Sequence, residues 1–314
     1  MFAALRHRYG ILLVLAVVIA VLPVAFPSSY YFRVAALVWV SALAAIGLNI
    51  LMGKAGQVSL GHAGFFGIGA YAVAIGPTHL GVPSLLALLI GGAVSALLAF
   101  VVGRPILRLK GHYLAIATLG FGVLVALVIT TESRWTGGPD GMSVMKLTLF
   151  GWRASGSDTW YWITGGLLLA GTWIALNLDE TPTGRAFRAL HDSEIAARVT
   201  GVDVNRFKLQ AFVIAAVYAS LAGSALALMN GFVNPDQAGF LHSVELVTMV
   251  VLGGLGSVLG SIVGAAVLIV LPQVLTIFQE YENLLLGAII IVSMIFMREG
   301  IVPMLSKFAA GRRE

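Results

Sequence analysis

Residues 55–103 read AGQVSLGHAGFFGIGAYAVAIGPTHLGVPSLLALLIGGAVSALLAFVVG and contain no Asp, Glu, Lys or Arg. A helix needs about 20 apolar residues to cross the hydrocarbon core of a bilayer. This stretch is therefore long enough for two crossings. Because a lone strand in hydrocarbon leaves its backbone polar groups without partners, each crossing is predicted to be a helix.

The rest of the chain has the same apolar character. Of its 314 residues, 59% are hydrophobic and 11% are charged, and the mean hydropathy is +0.96. Soluble domains carry about 25% charged residues. Division of the chain at its charges predicts an all-α polytopic integral membrane protein with about ten transmembrane helices, at roughly 10–26, 34–52, 58–76, 84–103, 113–131, 160–178, 208–229, 243–255, 258–278 and 284–297. Eight crossings with two re-entrant hairpins also fit.

The distribution of Lys and Arg predicts which loops face the cytoplasm, because short cytoplasmic loops carry an excess of these residues. With the N-terminus inside and ten crossings, fifteen of the 19 cations fall inside. Only Arg33, Arg134, Lys146 and Arg153 fall outside. Eight crossings give the same sides. We therefore expect both termini in the cytoplasm.

The first segment has the charge pattern of a secretory signal, since Arg6, His7 and Arg8 precede the apolar run 11–22. A signal peptide ends at a cleavage site of small residues. Here the run is followed by 24–27, Val-Ala-Phe-Pro, which contains an aromatic residue and a proline. We expect this segment to remain as a membrane anchor.

Several kinds of chemistry are excluded by what the sequence lacks. It has no Cys, and its six His show no paired metal-ligand spacing. No phosphate-binding G-x-x-x-x-G-K-[ST] motif and no nucleophile elbow occur. We therefore predict no catalytic residue, no metal site and no cofactor bound by this chain. The net charge of +5 is explained by the basic cytoplasmic loops, so no nucleic-acid partner is expected.

Two predicted membrane segments are interrupted by glycine, one at 56–69 and the other at 253–256. Such segments in matching places of two halves indicate internal pseudo-symmetry and a midplane pathway in transporters. The halves would be about 34–131 and 208–297. Gly256, Gly260 and Gly264 also form a small-xxx-small pattern, which favours close helix packing.

Two long loops interrupt the hydrophobic segments. The predicted external loop, 132–158, contains the turn-forming cluster 136–141, Thr-Gly-Gly-Pro-Asp-Gly, and is either a solvated turn or a surface for an external partner. The predicted cytoplasmic loop, 179–207, can form a basic helix that carries Arg185 and Arg188. Asp192 is predicted to cap a second short helix that ends before Gly201.

This second helix has one small apolar face, because Ile195 and Val199 lie four residues apart. So compact a helix buries little against its own chain and suits a groove on another subunit. An alternative is an interfacial helix on anionic membrane lipid, which the flanking arginines also favour.

An ordered set of motifs resembles the M-type permease subunit of the Liv branched-chain amino-acid ABC importers. It comprises SLGHAGFFGIGAY at 59–71, LKGHYLAIATLGFG at 109–122, TGG-DG at 136–141, EIAA at 194–197, GV at 201–202, KLQAF at 208–212 and VLGGLGS at 251–257. The resemblance covers about residues 35–300. It implies a bacterial cytoplasmic (inner) membrane, multi-pass subunit in which 1–314 form a single transmembrane permease domain.

The resemblance also implies partners. They are a second, related permease subunit, two cytoplasmic ATP-binding subunits that use ATP and Mg, and a periplasmic or lipid-anchored solute-binding protein. The family's coupling loop contains Glu-Ala-Ala followed by glycine. The matching region here, 185–203, is the predicted ATPase-coupling loop, with the candidate residues Arg185, Arg188, Glu194, Ala196, Ala197, Gly201 and Asp203. The family's later Ile-x-Leu-Pro element is missing, since Val-Asn-Arg-Phe stands at 204–207.

Candidates for the translocation pathway are polar or aromatic residues at membrane depth. An amino acid needs hydrogen-bond acceptors for its ammonium group and hydrogen-bond donors for its carboxylate. The N-termini of broken helices supply such donors. The candidates are Gln57, Ser59, His62, Tyr71, Tyr113 and Thr118 in the first half and Glu245 and Thr248 in the second.

The sequence thus predicts a permease subunit that imports branched-chain or related hydrophobic amino acids with energy from partner subunits. A permease for urea, amides or sugars has the same features. An ATP-independent channel or secondary carrier is the alternative from another class.

Overall fold

The structure is a computed structural model that describes residues 2–149, 152–275 and 300–304. The helices are α1 Phe2–Val21, α2 Ser29–Asn49, α3 His62–Leu80, α4 Ser84–Ile106, α5 His112–Thr131, α6 Ser133–Thr136, α7 Ser157–Glu180, α8 Pro182–Asp192, α9 Glu194–Val199, α10 Val204–Asn230, α11 Phe240–Gly253 and α12 Val258–Leu275. Within the described residues, nine of the ten predicted membrane segments are wholly or mostly helical; residues 276–278 of the ninth lie outside the described part. The tenth, 284–297, lies outside the described residues.

Five helices in the described part of the chain are long and apolar enough to cross a membrane: Ser29–Lys54, Ser84–Ile106, His112–Thr131, Ser157–Glu180 and Val204–Asn230. Three shorter apolar helices are Gly10–Ala25, Phe240–Gly253 and Val258–Gln273. With 14 residues, α11 is about 21 Å long, which is less than the roughly 30 Å of a bilayer core.

The predicted all-α fold contains a small exception. The two-residue strands β1 Met142–Ser143 and β4 Phe232–Val233 pair antiparallel, as do β2 Thr148–Leu149 and β3 Trp152–Arg153. The first pair attaches the predicted external loop to the chain after α10. The loop 132–158 is therefore held against the helical body and is not simply a solvated turn.

The helix predicted at 58–76 begins later than expected. Residues 55–61 are not helical, and α3 begins at His62. The chain leaves α2 through a π-helical turn at Ile50–Lys54, and the N–H of Gln57 still bonds the carbonyl of Leu51 at 3.0 Å. Gly56 then has φ +66°, a conformation that ends the helix. The result is a non-helical stretch between two apolar helices.

The long helix α10 lies at the centre and contacts α2, α3 and α4. Its approach to α3 depends on glycine. A Cβ on Gly223 would lie 1.9 Å from the carbonyl oxygen of Phe66, and one on Gly69 would lie 2.0 Å from that of Ser220. The hydroxyl of Ser224 donates to the carbonyl of Gly69 at 2.8 Å. The two backbones therefore touch directly.

The two predicted halves contain their helices in the same order, but the long helix of one half runs in the opposite direction to that of the other. In each half a long helix (α2 or α10) is followed by a largely non-helical stretch, a further helix (α3 or α11) and another (α4 or α12). Lys54, after α2, contacts Asp179 near the end of α7, and Lys208, near the start of α10, contacts Glu194 of α9. Arg33 and Asn230 meet at the other end. We call the first end of the molecule the coupling end.

The glycine pattern at 256–264 contributes to close packing of α11 against α12. A Cβ on Gly264 would lie 1.9 Å from the carbonyl oxygen of Met249, and one on Gly260 would lie 2.6 Å from that of Gly253. No larger side chain fits at either position without separating the helices. This supports the helix-packing interpretation of the pattern.

Candidate coupling segment and translocation pathway

The predicted cytoplasmic loop 179–207 folds into α8 and α9, which we call the coupling segment together with their flanking residues. Thr181 caps α8, because its hydroxyl accepts a hydrogen bond from the N–H of Gly184 at 3.2 Å. Pro182 occupies the first turn of α8. Backbone N–H groups there have no acceptor within the helix, so proline costs no helical hydrogen bond. Phe187 and Leu190 are buried beneath α8. The segment is thus a packed part of the fold.

The prediction that Asp192 caps α9 was wrong. Asp192 is the last residue of α8, and Ser193 is the cap. The reason is that α8 continues through Asp192, so that the extended backbone of the cap falls on Ser193, whose hydroxyl accepts a hydrogen bond from the N–H of Ala196 at 3.3 Å. The predicted position of Gly201 is confirmed, since it follows the C-cap and has φ +84°.

The outer face of α9 is apolar and uncovered. The exposed fractions of Ile195 and Val199 are 78% and 83%. On the opposite face, Ala197 is buried against Leu190 and Val204. The other coupling candidates Arg185, Arg188 and Ala196 are exposed, and Asp203 caps α10 through the N–H of Arg206.

Glu194 lies on the inner side of the coupling segment. Its carboxylate forms an ion pair with Lys208 of α10, whose side chain is only 3% exposed. It also accepts a hydrogen bond of 3.4 Å from the amide of Gln57. Gln57, a pathway candidate from sequence, therefore lies beside the coupling segment.

The surroundings of Glu194 favour its ionised form. Partial burial alone would raise the pKa of the carboxyl group. The hydrogen bond and positive charge of Lys208, together with the hydrogen bond from Gln57, outweigh burial and bring the pKa below its ordinary value. The carboxylate is therefore negative at neutral pH and balances the buried ammonium of Lys208.

A second lysine at the coupling end has a similar role. Lys54 ends the π-helical turn after α2 and forms an ion pair with Asp179 of α7, with its side chain 7% exposed. Sequence reasoning missed both lysine pairs, although each lysine borders a long charge-free stretch. That position is the signal, because a cation there needs a partner close to the membrane boundary.

Asn49 is another residue that sequence reasoning missed. Its amide nitrogen donates to the carbonyls of Gly254 at 3.3 Å and Ser257 at 2.9 Å and to the hydroxyl of Ser261 at 2.7 Å. Its oxygen accepts from the N–H of Gly256 at 2.7 Å. Asn49 thus fixes the turn between α11 and α12 to the end of α2.

Three pathway candidates meet where α3 begins. Ser59 Oγ and His62 Nδ1 lie 3.0 Å apart, and the hydroxyl of Thr118 accepts from the N–H of Leu60 at 3.1 Å. The first turn of α11 joins them, because Ser243 Oγ accepts from the N–H of Ala63 at 3.1 Å. We call this meeting of α3, α5 and α11 the junction.

The side chains at the junction are mainly internal. His62 is 1% exposed, and its ring lies edge-on to Phe65 and Phe212 at centroid distances of 5.7 and 6.0 Å. Thr118 also donates to the carbonyl of Ala115 in its own helix. These contacts favour a structural role for both residues in this conformation.

The remaining pathway candidates are not brought to the junction. Tyr71 is buried further along α3, whereas Tyr113 is 74% exposed at the start of α5. Glu245 and Thr248 follow the junction on α11, and the carboxylate of Glu245 is 3.0 Å from His242 Nδ1. The side chain of Glu245 is 56% exposed. Within the described residues, no group of three or more His, Cys, Asp or Glu could hold a metal ion.

Comparison with known proteins identifies relatives of the chain. A family model described as "Branched-chain amino acid transport system / permease component" matches residues 30–294. The "High-affinity branched-chain amino acid transport system permease protein LivM" of Escherichia coli (strain K12) is 36% identical over 315 aligned positions, covering 92% of this chain and 74% of the relative. LivM of Salmonella typhimurium is 36% identical over 295 positions, covering 86% and 69%.

A second type of relative is LivH of Escherichia coli (strain K12), also named as a permease protein of a high-affinity branched-chain amino acid transport system. It is 24% identical over 285 positions, covering 83% of this chain and 90% of the relative. No solved structure matches the chain. The match of the family model and the extent of the LivM similarity confirm the resemblance seen in the motifs, and the chain belongs to the family of branched-chain amino acid transport system permease components.

Proposed function

We propose that this chain is the membrane-spanning permease subunit of an ABC importer for branched-chain or related hydrophobic amino acids. Its LivM relatives are named for transport of these substrates, and the sequence contains no phosphate-binding loop of its own. The subunit conducts the amino acid, and ATP hydrolysis in partner subunits drives the movement. The observation that carries this proposal is the uncovered apolar face of α9 on a well-packed coupling segment.

The proposed topology places the coupling end in the cytoplasm of a bacterium, within its inner membrane. The chain is one permease domain over 1–314, with the coupling loop 179–207 inside and the loop 132–158 outside. Both termini are cytoplasmic, with ten crossings, or eight if paired segments re-enter. The positive charge of the predicted cytoplasmic loops supports this orientation.

The proposed partners follow from the two ends of the molecule. Two cytoplasmic ATP-binding subunits, which use ATP and Mg, receive the coupling segments. A periplasmic or lipid-anchored binding protein delivers the amino acid to the opposite end. A second, related permease completes the membrane part, and the similarity to both LivM and LivH supports such a pairing.

The proposed pathway passes the open face of α11. Glu245 has a carboxylate that can accept the ammonium group of an amino acid, and Thr248 lies one turn further along the same side. The second permease closes this face. Ser59, His62 and Thr118 shape the junction, and Tyr71 and Tyr113 lie elsewhere along the proposed route. Gln57 lies beside the coupling segment, outside this route.

The docking role is tested by placing charge on the outer face of α9. The double variant Ile195→Asp, Val199→Asp changes two exposed side chains, so folding and insertion are expected to persist. We expect loss of copurification with the ATP-binding subunits and loss of ATP-driven uptake in proteoliposomes.

The matched control is Leu109→Asp, an exposed apolar residue between α4 and α5 outside the coupling segment. It is expected to retain both properties. Normal copurification and uptake by the double variant would remove the docking proposal, and uphill uptake by the isolated chain would remove the proposed dependence on partners.

A further inference from the structure

The inner side of α9 connects two separate parts of the membrane domain through one carboxylate. Glu194 contacts Lys208 in α10 and Gln57 in the non-helical segment 55–61. The outer side of the same helix presents Ile195 and Val199. A displacement applied to the outer face therefore acts directly on the position of the Glu194 carboxylate.

The contact between Glu194 and α10 is expected to persist, because the buried ammonium group of Lys208 has little access to water. The side chain of Lys208 is 3% exposed, and Glu194 is its ion-pair partner in the described part of the chain. Separation of the pair would leave a buried positive charge without compensation, which is strongly unfavourable. Movement of α9 and of the start of α10 is therefore coupled.

The contact with Gln57 reaches the start of α3. Gln57 is 4% exposed, and its amide also donates to the carbonyl of Ala55 at 3.0 Å. Two residues later Ser59 bonds His62, and the N–H of Leu60 bonds Thr118. The short non-helical segment 55–61 thus connects the coupling segment with the junction of α3, α5 and α11.

The neighbouring ion pair has a different consequence. Lys54 and Asp179 join the end of α2 to the end of α7, and Asn49 joins α2 to the turn after α11. The end of α2 is therefore held on two sides. The segment 55–61 lies between this fixed point and α3, and Gln57 is where α9 contacts it.

We propose that Glu194 is a positioning residue that transmits displacement of α9 to α10 and, through Gln57, to the segment 55–61 and the junction. Its function is internal to this chain, and the outer face of α9 makes the contact with the ATP-binding subunit. This inference rests on the proposed function, since it requires a partner that moves α9. It assigns to the Glu194–Gln57–Lys208 cluster the link between ATP hydrolysis and the pathway.

The variant Gln57→Leu tests the link to the segment 55–61. It removes the hydrogen bond to Glu194 while keeping the Glu194–Lys208 pair and the outer face of α9. ATP-binding subunits are expected to copurify and to hydrolyse ATP at the parental rate. Uptake of amino acid per ATP hydrolysed in proteoliposomes is expected to fall by about tenfold or more, the effect of losing one hydrogen bond to a charged group.

The charge exchange Glu194→Lys, Lys208→Glu tests the link to α10. Each single change places like charges together and is expected to abolish coupled uptake. The double exchange restores the ion pair between α9 and α10. Uptake per ATP is therefore expected to rise well above that of either single variant. The control Asp158→Asn removes an exposed charge at the start of α7, outside the coupling segment, and is expected to behave as the parent.

Loss of copurification in Gln57→Leu would overturn the inference, because the residue would then serve docking. Parental uptake per ATP in that variant would overturn it as well. If Gln57→Leu does not fold, the charge exchange between Glu194 and Lys208 provides the test. Recovery of uptake per ATP in the double variant supports the inference, and an assembled double variant without recovery refutes it. Failure of the parental complex to couple ATP hydrolysis to uptake would instead refute the proposed function.

Discussion

Replacement of Asn49 is expected to loosen the coupling end of the molecule. Asn49 is 1% exposed and makes four hydrogen bonds, three to the turn between α11 and α12 and one to Ser261 in the first turn of α12. The variant Asn49→Leu keeps the approximate size of the side chain and removes all four. Its effect therefore measures the polar contacts more than the packing.

The structure allows the magnitude to be worked out group by group. Without Asn49, the carbonyl of Gly254 still accepts a hydrogen bond from the N–H of Ser257 at 3.3 Å. The carbonyl of Ser257 still accepts one from the N–H of Ser261 at 3.1 Å. The N–H of Gly256 loses its acceptor but lies in an exposed residue, where water can replace it. At about 0.5–1.5 kcal/mol for each hydrogen bond, with partial replacement, the loss is about 2 kcal/mol.

The assay is thermal denaturation of the detergent-solubilised protein followed by size-exclusion chromatography. At about 2–4 °C per kcal/mol, we expect a melting temperature roughly 4–8 °C below that of the parent. The control is Ser95→Ala, since Ser95 is fully buried and its hydroxyl has no hydrogen-bond partner among the described residues. If Asn49→Leu melts together with Ser95→Ala, the four bonds do not stabilise the turn and the reasoning is refuted.

Three further outcomes are expected. Gly223→Ala would place a Cβ 1.9 Å from the carbonyl oxygen of Phe66 and is expected to destabilise the protein by about 1–3 kcal/mol in thermal denaturation, whereas Gly166→Ala meets no atom within 4 Å and is expected to be neutral. Because the pKa of Glu194 lies below its ordinary 4.5, its stabilising contribution is complete above that pH and is lost as the pH falls below it. The melting temperatures of the parent and Glu194→Gln should therefore converge in acid, and a constant difference would contradict the ion pair. Glu245→Gln is expected to raise the KM of amino-acid uptake without affecting copurification with ATP-binding subunits, and an unchanged KM would place the substrate elsewhere.

Most of the helices could be predicted because a long apolar stretch in hydrocarbon must satisfy its own backbone hydrogen bonds, which a helix does. Their boundaries depend on local backbone chemistry. The start of α3 was misplaced because residues 55–61 carry no charge that would separate them from the apolar run that follows. The positive φ of Gly56 and the hydrogen bonds that close α2 end the preceding helix there. Hydropathy contains no information on either feature.

Features of the coupling segment could be predicted only where they depend on residues close together in the sequence. The spacing of Ile195 and Val199 sufficed to predict the outer face of α9. The partners of Lys54 and Asn49 are 125 and more than 200 residues away in sequence, so only the packing of the helices brings them together. The same holds for the contact of Glu194 with Gln57, which is 137 residues away in sequence.

The two buried lysines explain why the coupling segment can be both firmly attached and apolar outside. Before folding, Lys54 and Lys208 are cations of the kind that hold a loop in the cytoplasm. After folding, each forms an ion pair with an acidic residue in or beside the coupling segment. Because charge and hydrogen bonds hold its inner side, α9 needs little apolar burial of its own, and Ile195 and Val199 stay available for a partner.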